Sequence, residues 1–343
     1  MRVLFLTPWY PSEKDAMSGL FVQKHVEAVR AQGCDVRVIH SQSLWDTVRQ
    51  YKKLQKEGWT PDIIQLNVIQ KQGLVAEALE IPYIIVEHWS GYLPENGLFM
   101  RMSRFKRDMY RHIARNAAMI LTVSDRQAQA MQDCGIRNDH WKRIDNVVDD
   151  FFFEERTRNQ ESRVKTLLHV SCFDEKAKNV KGLLRAAKML SEKRQDWQLV
   201  LVGTGEDYDE VRAYARSLEI PEKLLRWTGE LTPREVADEM HRADALVLSS
   251  RYETYGVVLT EAVAARLPIL STPVGIAEDV ADLIVPQEVA QHKPGRFAEF
   301  IETILWNTDR CTGRTQSTSH FTAEAIGKKL KTVYEEAIVG RPL

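Results

Sequence analysis

Short runs of β-branched and apolar residues alternate with helix-period stretches along nearly the whole chain, and the alternation runs through twice. Val3–Thr7, Val36–His40, Ile63–Leu66, Tyr83–Val86 and Met119–Val123 read as strands, and Phe21–Ala31 as a helix ending at Gly33. After Asp150 the series restarts with Thr166–Val170, Gln198–Val202, Leu224–Trp227, Ala245–Leu248 and Ile269–Leu270. Strands separated by helices predict parallel sheets with helices on both faces, so the fold class is α/β. Two series in 343 residues predict two Rossmann-like, doubly wound domains. The break falls in Asp149–Arg163, which shifts from aromatic to polar and keeps neither period. Phe151–Phe153 should pack at the junction. We therefore expect an N-terminal domain over 1–155, a second over 156–320, and a closing segment 321–343. Within that segment Phe321–Ile338 has Ile326, Leu330, Val333 and Ile338 on one side, and it should pack back on the first domain. Ligands of such sheets sit beyond the carboxyl ends of the strands, which makes a cleft between the domains the expected active site.

The gross numbers narrow the function. A formal net charge of −1 gives no overall pull toward nucleic acid. Four cysteines, 34, 134, 172 and 311, are scattered without a C-x-x-C pair, which argues against a zinc knuckle or disulfide scaffold and for a reducing compartment. The opening MRVLFLTPWYP is too short an apolar run for a signal peptide, and no stretch approaches a membrane span. A cytoplasmic protein, or one resting on the cytoplasmic face of a membrane, is expected.

The densest chemistry lies in SRYETYGVVLTEAVAARLPIL, residues 250–270. A strand, a turn holding Gly256 and an apolar helix form a phosphate-binding arrangement, because the first amides of a helix lack partners. Glu253 and Glu261 flank that turn. Carboxylates accept strong hydrogen bonds from hydroxyl groups, so the pair suits a ligand with hydroxyls on either side of its phosphates, such as a nucleotide-sugar. Two solvated helix-end carboxylates are the plain alternative. Lys178 and Lys181 follow the strand that ends at Val170, a position that favours a functional cation. They also read as surface lysines. Gly203 and Gly205 follow another strand and would let backbone approach a ligand, or make a tight turn. The third glycine of a dinucleotide fingerprint is missing, which disfavours an NAD enzyme. In the first half, Gly19 lies in the loop PWYPSEKDAMSGLFVQKHV, with Ser18 as a candidate helix cap. His88 stands just past a strand with Glu87 beside it, and a lone histidine is as readily structural. Arg104, Arg107, Arg111 and Arg115 share one helix face, and Met102, Phe105, Met109 and Ile113 the opposite one. The apolar side should pack on the sheet and the basic side face out, toward solvent or anionic lipid.

Ser249–Ser250, Glu253–Thr254–Tyr255–Gly256, Glu261–Ala262 and Pro268 together resemble the signature of glycosyltransferase family 4. The resemblance implies the GT-B fold, two Rossmann-like domains facing a central cleft, with the donor held by the second and the acceptor by the first. It implies a retaining hexosyltransferase using a UDP- or GDP-sugar and a saccharide or lipid-linked acceptor, in cell-surface polysaccharide or glycoconjugate synthesis, with no cofactor and no metal. By that likeness Glu253 holds hydroxyls of the transferred sugar and Glu261 those of the ribose. The amides of Tyr255, Gly256 and Val257 hold phosphate oxygens, and Lys178 neutralises the leaving group. Gly203 borders the base, Gly19 approaches the diphosphate, His88 contacts the sugar and Glu87 an acceptor hydroxyl. Three positions depart from the family pattern: Cys172 replaces an arginine, and Val147 and Val274 replace glycines. Two rival readings are a non-catalytic nucleotide-sugar-binding or regulatory subunit and a GT-B-fold nucleotide-sugar epimerase.

Overall fold

A computed structural model describes residues 1–12, 18–155, 164–307 and 318–340. The chain divides into two units, Met1–Val147 together with the chain from Ser319 on, and Val148–Thr318. Each is built on its own six-stranded, all-parallel sheet. The last eight residues of the break expected from the sequence, 156–163, lie outside the described residues.

The first sheet contains β1 (Arg2–Thr7), β2 (Asp35–His40), β3 (Ile63–Asn67), β4 (Tyr83–Glu87), β5 (Met119–Thr122) and β6 (Trp141–Arg143), in the order β2-β1-β3-β4-β5-β6. Val3, Phe5, Ile63, Ile84 and Val86 line one face, and the alternate residues Leu4, Leu6, Ile64, Leu66 and Ile85 are equally buried. A sheet buried on both faces needs continuous apolar strands, which explains why these read as unbroken runs. The helix Leu20–Ala31 covers the first of these faces with Val22, Val26 and Val29. The helix Ala323–Val339 adds Ile326, Leu330, Val333 and Tyr334 to the same cluster. Gly327 is required there, since a Cβ would fall 2.4 Å from the Ala28 carbonyl oxygen. The Tyr334 hydroxyl reaches Gln65 Oε1 at 2.5 Å, and Gln65 donates to Asn67 Oδ1 at 3.0 Å, so a buried polar chain links this helix to β3.

The second sheet contains β7 (Lys165–Val170), β8 (Trp197–Val202), β9 (Leu225–Gly229), β10 (Ala245–Leu248), β11 (Ile269–Ser271) and β12 (Leu283–Ile284), in the order β12-β11-β10-β7-β8-β9. Its core joins Leu167, Leu199, Leu201 and Val247 to Leu183, Leu184 and Leu190 of the helix Val180–Lys193 and to Phe297, Ile301 and Ile304 of Pro294–Trp306.

Two strands escape sequence reading. β6 and β12 are edge strands of three and two residues. An edge strand pairs on one side only and needs no apolar run, so WKR carries no strand signal. The arginine-bearing helix also differs from expectation. A break at Met102–Ser103 separates Leu98–Arg101 from Arg104–Asn116, and Ser103 caps the second helix. The buried residues are Tyr110, Ile113 and Ala114, while Phe105 is 81% exposed. Arg111 turns inward instead, donating to the Cys134 carbonyl at 2.8 Å with its guanidinium over the Phe99 ring. A guanidinium with an aromatic face and a carbonyl acceptor is favourably placed there, so the expected two-faced division does not hold. Phe152 is buried and Phe151 lies under the Arg234 guanidinium, both within the second unit. No described helix is long and apolar enough to cross a membrane.

Candidate functional site

In the second sheet the strand order reverses between β7 and β10, which are neighbours. Loops leaving the carboxyl ends of such a pair diverge to opposite faces and open a crevice, the usual ligand position in doubly wound sheets. Lys178 and Glu253 come from those two loops. Lys178 Nζ lies 2.6 Å from Glu253 Oε1, both side chains about seven-eighths buried at 15% and 13% exposure. Ser250 Oγ donates to the same carboxylate oxygen at 2.8 Å. Burial opposes the charged form of Lys178, but the Glu253 carboxylate, together with Cys172 and Asp174, outweighs it and raises the lysine pKa, so the ammonium persists. Lys181, the other candidate, pairs with Glu210 and lies 5.6 Å from the Tyr214 ring centroid. The structure therefore separates the two lysines: Lys178 belongs to the Glu253 cluster.

The residue that clamps these loops together is Asn179, which sequence reasoning passed over. It is fully buried in the left-handed region (φ 51°), donating to the Ser249 carbonyl at 3.2 Å and the Ala290 carbonyl at 3.3 Å. Ser249 Oγ returns a bond to the Lys178 carbonyl at 3.0 Å, and Arg251 donates to Asn179 Oδ1 at 2.9 Å. Asparagine is among the few residues that adopt positive φ readily, and K-N-V after a strand was the available signal.

The turn after β10 ends at Gly256, whose φ of 83° makes it the N-cap of the helix Val257–Ala264. No side chain caps that end and its first turn carries no acid. The Tyr255 side chain is buried, leaving its backbone for the turn. Gly275 fixes the turn from outside: at φ 54° its Cβ would lie 2.1 Å from the Tyr255 carbonyl oxygen, an atom that accepts from Ile276 N at 3.0 Å. Val274 is fully packed, so valine in place of one glycine leaves this close approach intact. Glu261 lies one turn into the helix and is partly exposed.

Gly203 adopts φ 114° with a Cβ position 2.0 Å from the Ser171 carbonyl oxygen, and Gly205 is hemmed by Phe173 N at 2.7 Å. Both glycines serve a tight backbone junction between the loops after β7 and β8. Asp207 completes that junction by accepting from Glu175 N at 2.8 Å. Cys172, in the place of the family's arginine, is exposed.

In the first unit the order reverses between β1 and β3. Gly19 (φ 69°) caps the helix after β1, so the N-cap is Gly19 rather than Ser18. A Cβ on Gly19 would sit 2.4 Å from the Trp9 carbonyl group. Val68, just after β3, holds φ 64°, a strained state for a β-branched residue and a frequent mark of functional edges. His88 stacks on Phe21 at 4.3 Å between ring centroids, with His25 at 5.8 Å. Although part of the residue reaches the surface, its Nε2 is buried with no hydrogen-bond partner. Burial, then the neighbouring His25, depresses its pKa well below that of a free imidazole. His25 Nε2 faces the Asp145 carbonyl at 3.3 Å, and burial lowers its pKa to about 4.

Glu87 does not face an acceptor. It is fully buried and its two oxygens accept from the amides of Ile69, His88 and Trp89 at 2.9, 3.0 and 2.9 Å. Burial pushes its pKa up to about 7, with the three amides acting against that rise. It fixes the backbone that presents His88.

Residues 1–150 match the profile described as Glycosyltransferase Family 4, and residues 151–316 that described as Glycosyl transferases group 1. The chain belongs to the group 1 glycosyltransferases. The lipopolysaccharide 1,6-galactosyltransferase of Escherichia coli K12 is 30% identical over 146 residues, 41% of this chain and 39% of that protein, so the match spans well under half of that relative's length. The alpha-D-kanosaminyltransferase of Streptomyces kanamyceticus is 21% identical over 77% of this chain and 72% of that protein. The crystal structure of Anabaena Alr3699/HepE in complex with UDP has the same fold, with a TM-score of 0.75 at 16% identity over 98% of this chain and 100% of that one. The fold of this group 1 glycosyltransferase is thus GT-B.

Proposed function

We propose that this protein is a retaining, metal-independent glycosyltransferase. It moves a hexosyl group from a UDP- or GDP-linked sugar to a saccharide or lipid-linked acceptor, in cell-surface polysaccharide or glycoconjugate synthesis, in the cytoplasm or against its membrane face. The Lys178–Glu253 pair at the strand-order reversal carries the reading. Transfer breaks the bond between the sugar's anomeric carbon and the diphosphate oxygen and forms one to an acceptor oxygen, whose proton is lost. Negative charge grows on the departing diphosphate. An ammonium kept charged by Glu253 and the uncapped N-terminus beyond Gly256 are placed to stabilise that charge. A lysine has three N–H donors, so Lys178 can hold Glu253 and a phosphate oxygen together. The remaining Glu253 oxygen accepts from sugar hydroxyls and Glu261 from the ribose, and the family likeness assigns His88 to the transferred sugar. By the same likeness Gly203 borders the base and Gly19 the diphosphate.

The exposed Cys172 in place of an arginine favours one rival, a subunit that binds nucleotide-sugar without turnover. Thermal unfolding with UDP, GDP, ADP and NAD, on wild type and Glu261→Ala, tests the donor site. Saturation at about a hundredfold over Kd adds roughly 2.7 kcal/mol to the native state. Stabilisation by UDP or GDP that Glu261→Ala abolishes supports the assignment. Silence from every nucleotide refutes it, and donor conversion with no acceptor present would identify an epimerase instead.

A further inference from the structure

The segment 98–107, LFMRMSRFKR, has four cations and no acid, and three of its apolar side chains stand in solvent. Phe105 is 81% exposed, Met100 57% and Leu98 41%, three of the six large hydrophobics that the described residues leave exposed. Arg101, Arg104 and Lys106 are exposed among them. Arg104 has one carboxylate nearby, Asp108 at 3.7 Å, which lies closer to Arg111 at 3.0 Å. Arg107 Nη1 reaches only the Met100 sulfur, at 3.7 Å, and its Nε is buried with no hydrogen-bond partner. Four cations with one shared carboxylate between them, alternating with unburied apolar groups, match neither a solvated face nor a protein core. They match the boundary between lipid headgroups and acyl chains, where cations meet phosphate and apolar side chains leave water.

Topology gives the patch a purpose. The helix Arg104–Asn116 runs back from the carboxyl end of β4 to the start of β5, so its N-terminus lies at the sheet edge that carries His88. We propose that Leu98, Met100 and Phe105, with Arg101, Arg104 and Lys106, dock the first unit on an anionic lipid bilayer, holding the His88 edge beside the membrane surface. The purpose rests on the lipid-linked acceptor reading. The docking itself is read without donor or acceptor, so the two can fail separately.

The full chain is sedimented with vesicles of phosphatidylcholine alone and of phosphatidylcholine mixed with phosphatidylglycerol, across a salt series. Binding to the mixed vesicles that weakens as salt rises is expected. Phe105→Ser and Arg104→Glu should each weaken it by at least about fivefold, with unchanged circular dichroism because both side chains are exposed. Equal binding by variants and wild type overturns the proposal. So does failure to bind either vesicle, or concentration-dependent self-association that Phe105→Ser abolishes, which would make the patch a protein contact. Vesicle binding without any nucleotide response would leave docking intact and remove the transferase reading.

Discussion

In the proposed reaction Lys178 and Glu253 have different jobs despite sharing one ion pair, and their substitutions should separate. Lys178→Ala removes the charge proposed to meet the diphosphate. Turnover should fall about 10²–10³-fold, as when a preorganised transition-state donor is deleted. Glu253→Ala should lower turnover similarly but weaken UDP binding less than Lys178→Ala does, because the bound diphosphate can itself hold the Lys178 ammonium charged once the carboxylate is gone. Parallel calorimetry with UDP and a transfer assay check this; equal losses of nucleotide affinity in both variants would contradict the division. Neither lysine nor glutamate alone announces its role in the sequence. The cassette around Glu253 is readable because a strand, a glycine turn and a helix occupy consecutive positions. The choice of Lys178 over Lys181 rests on the family pattern alone, since both follow β7 and only folding sends one to Glu253 and the other to Glu210. Glu87 was misread for a related reason: a carboxylate beside His88 looks like a ligand group until the amides of Ile69, His88 and Trp89 are seen to consume it.

At the scale of elements, the interior strands were legible because burial on both faces demands uninterrupted apolar runs, as in Val3–Leu6 and Leu199–Val202. The short edge strands β6 and β12 and the helix break at Ser103 were not, since two or three residues paired on one side, or a single serine, decide them. The turn between β10 and its helix depends on Gly275 more than on its own residues. Gly275→Ala would place a Cβ against the Tyr255 carbonyl in a backbone conformation that alanine resists. A stability loss of about 2 kcal/mol or more, with weakened UDP binding, is expected from denaturant titration. In the first unit, Gly327→Leu should force apart the helices Leu20–Ala31 and Ala323–Val339, lowering the unfolding midpoint while far-UV circular dichroism stays near that of wild type. An unchanged midpoint would show that the contact is looser than a 2.4 Å approach implies.

Across the whole molecule, buried histidines set the response to acid. His25 and His169 are held near pKa 4 by burial, and His88 is depressed as well. Below about pH 6.5 the unfolded chain protonates these rings and the folded chain does not, so stability falls as pH drops toward 4. Each contributes a slope of about 1.4 kcal/mol per pH unit at most. Glu87 acts in the opposite sense: with its pKa near 7, the folded state holds a proton that the unfolded chain has lost, and stability rises on acidification from 7 toward 4.5. Three histidines outweigh one glutamate, and urea midpoints should decline from pH 6.5 to 5. Glu87→Gln should steepen that decline, because the opposing group is gone; a slope unchanged by this variant would refute the assignment. The first unit is also discontinuous, closed by a helix that begins only after the whole of the second unit. On the ribosome the strands β1 to β6 emerge first, yet the helix Leu20–Ala31 lacks its packing partner Ala323–Val339 until the second unit has been made. The second unit, whose residues are contiguous, can mature meanwhile. The unit begun first is therefore the last to gain its complete core.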